Sequence, residues 1–225
     1  MLGTVAPTPF DLNFSLFGIP VRVHPFFWVV SAVMGWSPHD WALTLIWMLC
    51  VFVSILIHEM GHALTADYYG WNPHVVLYSF GGYAQYFETA RHSTGRAILV
   101  TFAGPGAGFI FYALIFAAQK VLENRGVELS PYAEDALYDL EFINLWWGLV
   151  NLLPVYPLDG GQISRAALEH WRGREGVALS LTISLIVAGV VAYWMFTHHR
   201  NYAGVLFAML AIENFQSMQG GARYR

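Results

Sequence analysis

The sequence is short of what a water-soluble domain needs. Only 12% of its 225 residues are charged, about half the share found in an ordinary soluble domain. A soluble fold of this size would lack material for its polar shell. Cysteine is nearly absent. Cys50 stands alone, which excludes an internal disulfide framework and any cysteine-built metal cage. Lysine and arginine number 11 against 15 acids, a net charge of −4, and they nowhere cluster, so a strongly basic nucleic-acid binder is excluded. No basic stretch precedes an apolar one at the N-terminus. Arg22 is the first cation and Pro7, Pro9 and Pro20 break the segment, so no signal peptide is read there.

What the sequence does have is apolar. Hydrophobic residues make up 56%, the mean hydropathy is +0.47, and 9 Trp, 12 Tyr and 16 Phe argue against disorder. Six apolar runs follow one another: Val23–Trp36, Trp41–Ala66, Arg96–Val121, Ala136–Leu153, Val177–Phe196 and Asn201–Met218. A bilayer core of about 30 Å takes ~20 helical residues, so the first run is marginal. Between the second and third runs, residues His74–Glu88 hold two β-rich stretches around Gly81-Gly82, the pattern of a hairpin. The expected fold is an all-α polytopic membrane protein of about six transmembrane helices, with a small β-hairpin between helices 2 and 3. Residues 1–225 are expected to form a single membrane-embedded domain.

Basic residues orient such a chain. With the N-terminus inside, the inner segments hold Arg22, Arg91, Arg96, Arg165, Arg172, Arg174, Arg223 and Arg225, and the outer ones only Lys120, Arg125 and Arg200. That asymmetry predicts both termini in the cytoplasm.

The chemistry lies deep in the second run, at His58-Glu59-Met60-Gly61-His62. A metal-binding or charged side chain inside a membrane helix is costly, and by default marks function. Histidines four apart project from one helix face and can bind one zinc ion. Glu59, turned about 100° from His58, stands beside the metal, where it can take a proton from zinc-bound water. A catalytic zinc has three protein ligands. The candidate third is Asp159, in Asn151-Leu152-Leu153-Pro154-Val155-Tyr156-Pro157-Leu158-Asp159-Gly160-Gly161. His58 lies about 26 Å along its helix from Trp41, and Asn151 about 22 Å along its own from Ala136. The two segments therefore reach a similar depth on the cytoplasmic side. Pro154 and Pro157 stop the helix and let Asp159 turn back. Read alone, the same segment is also a Pro-Gly turn carrying a solvated Asp.

His58-Glu59-x-x-His62 together with Asn151-x-x-Pro154-x-x-x-Leu158-Asp159-Gly160 resembles the site-2 protease family of intramembrane zinc metalloproteases. Gly81-Gly82 before the third helix and Ala103-Gly104-Pro105 within it fit the same pattern over essentially the whole chain. The resemblance implies one Zn2+ per chain held by His58, His62 and Asp159, with Glu59 as the catalytic residue that activates water. It implies an integral, multi-pass protein of a prokaryotic cell membrane, with its active site toward the cytoplasm. Its substrate would be a membrane-anchored protein, cut in or near a transmembrane segment, with no nucleic acid as partner. The PDZ and nucleotide-sensing domains that the family often carries do not fit into 225 residues.

Around this core stand further candidates. Asn151 can serve the oxyanion, orient the substrate strand, or bond a carbonyl freed near Pro154. Asn144, seven residues earlier, lies on nearly the same face. Gly81, Gly82 and Tyr83 offer a strand edge to an extended substrate. Gly104, Gly106 and Gly108 permit close helix approach. His24 is either a partner behind the ligands or structural, and Glu213 either lines a water path or is hydrated at the interface. The competing functions are an inactive scaffold that binds a membrane partner, a metal transporter, and a di-iron hydroxylase or desaturase. The transporter lacks repeated ligand sites and internal symmetry. The di-iron enzyme lacks its further histidine clusters, and the scaffold would not need all four chemical residues intact.

Overall fold

The computed structural model describes residues 5–79, 81–86 and 93–222. Phe80, Phe87, Glu88, Arg91, His92, Arg223 and Arg225 lie outside them. The chain forms two compact units, Met1–Arg91 with Ala103–Gly148, and His92–Phe102 with Leu149–Arg225.

The first unit holds a four-stranded sheet in the order β1-β2-β3-β4. Strands β1 (Leu12–Leu16) and β2 (Ile19–Val23) are antiparallel, joined at Phe17-Gly18, both with positive φ. Helices α1 (Pro25–Met34) and α2 (Trp41–Tyr68) follow. β3 (His74–Tyr78) then pairs parallel to β2 and antiparallel to β4 (Gly81–Gln85). Ile19, Val21 and Val23 alternate inward and meet Phe27, Ile55, Met60, Ala63, Val75 and Leu77 in one core, so the sheet is packed onto α2 itself.

Half of this sheet departs from the expected single hairpin. β1 and β2 come from the N-terminal segment, where Leu12, Phe14 and Leu16, then Ile19, Val21 and Val23, recur at the period of a strand. Pro20 is tolerated because it sits near the start of β2, before the Val21–Val23 stretch that pairs with β3. The reversal between β3 and β4 also precedes the glycines. Ser79 takes φ +48°, and Gly81 and Gly82 are already paired to Tyr78 and Leu77.

Helix starts follow local chemistry. His24 caps α1, its Nδ1 accepting from Phe26 N at 3.1 Å, while its own N–H donates to Leu77 O. That is the structural one of the two roles expected for it. Asp40 caps α2, accepting from Ala42 N at 2.9 Å.

Helices α3 (Thr94–Asn124) and α4 (Pro131–Asn151) contribute to both units. The second adds α5 (Asp159–Arg172), α6 (Arg174–Thr197) and α7 (Asn201–Ala222). Among the described residues, α2, α3 and α6 are long and apolar enough to cross a membrane. Leu45, Leu49 and Val53 are exposed along one face of α2, whereas Cys50, Ser54, His58 and His62 are buried on another. A helix with apolar residues out and polar ones in is built for lipid. The chain is an integral membrane protein. α5 was not among the six runs: it is amphipathic, with Arg165, Glu169 and Arg172 along it, and a search for continuous apolar stretches passes over it.

Before β1, the Asp11 carboxylate accepts from Thr8 through Oγ1 (2.6 Å) and N (3.1 Å), and from Arg22 Nη1 (2.9 Å). Foremost the Thr8 hydroxyl, then Arg22, hold its pKa down at about 2, against an ordinary 3.8. A depressed carboxylate stabilises the fold above its unfolded pKa and ceases to do so as pH falls through the folded value. The Tm advantage of wild type over Asp11→Asn should therefore be constant above pH 4 and shrink away toward pH 2. An advantage that persists unchanged at pH 2 would contradict this assignment.

Candidate metal centre

α2 delivers the two histidines to one place because residues four apart share a helix face. His58, Glu59 and His62 are all buried. The rings of His58 and His62 meet edge to face at 80°, and their Nε2 atoms stand 3.2 Å apart. Two nitrogens bound to one tetrahedral zinc at about 2.0–2.1 Å stand about 3.3 Å apart. The pair thus has the spacing of two ligands on one ion, and both nitrogens are of the type zinc takes.

Small residues on neighbouring elements make this packing possible. A Cβ on Gly104 of α3 would coincide with the His62 ring, and one on Gly61 would strike the Ala103 carbonyl. α3 therefore crosses α2 at backbone distance, which only glycine and alanine allow. A Cβ on Gly108 would lie 3.6 Å from the Asn144 carbonyl, an ordinary contact. Glu59 is seated in a comparable way against β4. A Cβ on Gly82 would be 2.8 Å from Glu59 Cγ and 3.1 Å from its Cδ. Gly82 thus brings the carboxyl against the outer strand of the sheet, a role beyond the strand pairing expected of it. Gly81 lies against the Trp147 indole, and Tyr83 is paired with Val76 in β4.

Asn144 is buried and donates both amide hydrogens, to Ser54 Oγ and Leu140 O, each at 2.8 Å. Ser54 lies one turn before His58, so Asn144 ties α4 to the histidine face of α2, with its N–H groups already engaged.

In the second unit, Asn151 is the last residue of α4 and is buried, and Asp159, also buried, is the first residue of α5. Between them the chain is irregular. A Cβ on Gly160 would strike the Leu152 carbonyl, and one on Gly161 the Val155–Tyr156 backbone. The two glycines let residues 152–156 fold down over the first turn of α5, which explains the run Asp159-Gly160-Gly161. Glu213 is half-buried in α7. Sequence reasoning missed two residues of this unit, Ser184 and Asn214. Both are polar, buried, and set in apolar helices, which is the signal that could have found them. Among the described residues, His58 and His62 of the first unit and Asp159 of the second are buried side chains of the kinds that hold a metal ion.

The sequence profile of Peptidase family M50 matches residues 46–126 and 129–195. The chain belongs to this family. Relatives of this M50 member include Stage IV sporulation protein FB of Bacillus subtilis, 30% identical over 204 residues, covering 88% of this chain and 66% of that protein. Another is zinc metalloprotease MJ0392 of Methanocaldococcus jannaschii, 28% identical over 192 residues, covering 80% of this chain and 53% of that one. The M50 member therefore spans between about half and two thirds of the length of these relatives. Its fold is that of the site-2 protease from M. jannaschii, with a TM-score of 0.67 at 22% identity, over 93% of this chain and 95% of that one.

Proposed function

We propose that this chain is an intramembrane zinc metalloprotease of the site-2 protease type, which hydrolyses peptide bonds in or near the transmembrane segments of membrane-anchored proteins. The observation that carries the reading is the pair of histidine nitrogens 3.2 Å apart on a lipid-buried helix, with a carboxylate on the intervening turn. Membrane burial of ligating groups is costly and calls for a function. His58, His62 and Asp159 are the proposed ligands of one Zn2+. When bound, the ion polarises the scissile carbonyl and lowers the pKa of water toward neutrality.

This chain's own residues do the rest. An extended substrate adds to the outer strand β4 along Gly81, Gly82 and Tyr83 by main-chain pairing, which unwinds a transmembrane helix at the point of attack. Because Gly82 bears no side chain, Glu59 lies against that same strand. Glu59 takes a proton from the attacking water and returns it to the leaving amine. Asn151, at the end of α4, is the proposed partner of the oxyanion or of the substrate strand. Asn144, whose amide hydrogens are engaged, holds the helices instead. We further read residues 1–225 as one protease domain with about six spans, in a prokaryotic cell membrane, with both termini and the site toward the cytoplasm.

Zinc per chain in detergent-purified protein tests the reading without a known substrate. Wild type and Glu59→Gln should hold about one zinc, and His58→Ala and Asp159→Ala should lose it. Zinc that is absent from wild type, or retained by the ligand variants, would overturn the metalloprotease and leave the membrane scaffold as the reading to pursue.

A further inference from the structure

Backbone shielded from water that is neither helix nor sheet must find partners for its N–H and C=O groups within the protein. Residues 152–158, between α4 and α5, pose that problem next to the proposed ligand Asp159. Part of the solution is local. Leu153 N, Val155 N and Leu158 N donate to Val150 O, Leu153 O and Val155 O, and Pro154 and Pro157 have no N–H. Gln162 Nε2 donates back to Pro157 O at 3.0 Å.

Three further groups, Pro154 O and both Tyr156 N and O, are met from two other helices. Ser184 of α6 accepts from Tyr156 N at 2.7 Å and donates to Pro154 O at 3.2 Å. Asn214 of α7 donates to Tyr156 O at 2.6 Å and to Leu210 O, one turn earlier on its own helix, at 2.8 Å. Both side chains are about 1% exposed. The packing around Val155 is otherwise apolar, built from Ala188, Ala192 and Phe207.

The orientation of Asn214 is forced. Two carbonyls can be served only by its NH2, and its Oδ1 is then buried with no hydrogen-bond partner among the described residues. An orphaned buried acceptor costs roughly 1–3 kcal/mol. For packing alone, leucine would fill the same volume without that cost. The residue earns its place through what its donor holds, namely the carbonyl of Tyr156, three positions before Asp159.

We propose that Ser184 and Asn214 are positioning residues for the metal. They fix the 154–156 backbone from α6 and α7 and thereby set where Asp159 presents its carboxylate. The inference rests on the reading of Asp159 as a ligand. Groups that orient a ligand typically contribute 10–100-fold to metal affinity, and that is the effect to seek.

Zinc affinity is measured by chelator competition on the full-length protein in detergent, beside the thermal midpoint of the zinc-free form. Four variants are compared: Asn214→Leu, Ser184→Thr, Ser184→Val and Asp159→Ala. Thr and Val are isosteric, so the ratio of their affinities isolates the hydroxyl from packing. The expected result is that Val and Leu weaken zinc binding ~10–100-fold, while Thr, which keeps the hydroxyl, binds at least tenfold more tightly than Val. Equal affinities for Thr and Val, with wild-type affinity in Asn214→Leu, would overturn the proposal whatever the midpoints. If Asn214→Leu does not fold, the Ser184 pair decides alone. Wild-type zinc binding in Asp159→Ala would instead overturn the ligand assignment on which the proposal stands.

Discussion

Glu59→Gln is expected to lose cleavage by about 10³-fold while keeping its zinc. The substitution retains size and shape at a buried position, and an amide is no base at neutral pH. The packing against Gly82 survives, so loss of rate reports proton transfer and little else. The comparison is with His58→Ala, which should lose metal and activity together. Both are read by co-expressing the chain with a panel of tagged single-span membrane proteins and following those that wild type shortens. Residual cleavage within tenfold of wild type, at full zinc occupancy, would move the base elsewhere. Gly82→Val offers a second route to the same outcome. Its side chain occupies the space of the Glu59 Cγ and Cδ, so the carboxyl is driven from the strand edge, again with zinc retained.

Gly104→Val should empty the metal site without altering a ligand. Its Cβ would coincide with the His62 imidazole, in a stretch where Gly61 and the Ala103 carbonyl already bring the two helices to backbone distance. Whether the His62 ring is pushed aside or α3 is pushed off α2, His62 leaves its place opposite His58, and the 3.2 Å spacing of the two nitrogens is lost. Zinc per chain should fall below about a tenth of the wild-type value, the lower end of what loss of a ligand's support costs in affinity. Gly108→Ala, one turn along α3, is the control. Its Cβ would meet nothing nearer than 3.6 Å, so zinc should be unchanged. Full zinc in Gly104→Val would mean that His62 does not bind the ion.

Much of this was legible before any coordinates, and the reasons differ by residue. His58 and His62 could be paired from spacing alone, because four residues bring side chains to one face of any α-helix. Helices α2, α3 and α6 were legible because lipid demands long apolar stretches. The strands β1 and β2 were not, although Leu12–Val23 alternates cleanly. Three prolines and a short length drew attention to breaks in the segment and away from its period. Helix α5 was hidden by its charges and by the two glycines after Asp159, which look like turn residues but serve close packing. Gly82 and Gly104 are legible as glycines of a strand edge and of a close helix approach, but not as seats for particular side chains. What each makes room for, a carboxylate and an imidazole, lies on another element, and no local pattern announces it. Ser184 and Asn214 stand out in the sequence only as polar residues in apolar runs, and which backbone groups each serves takes three-dimensional accounting.

The parallel pairing of β2 with β3 also sets an order of assembly. β2 leaves the ribosome first, yet its partner emerges only after α1 and the whole of α2. Until then the N-terminal hairpin has its β2 edge open as well as its β1 edge, and nothing to close against. Completion of the sheet thus waits on insertion of the very helix that bears the histidines, and β4, the strand against which Glu59 rests, can join only after β3. The proposed catalytic groups therefore meet their working neighbours late in biogenesis, and a nascent chain carries its histidine pair before the strand beside Glu59 is in place.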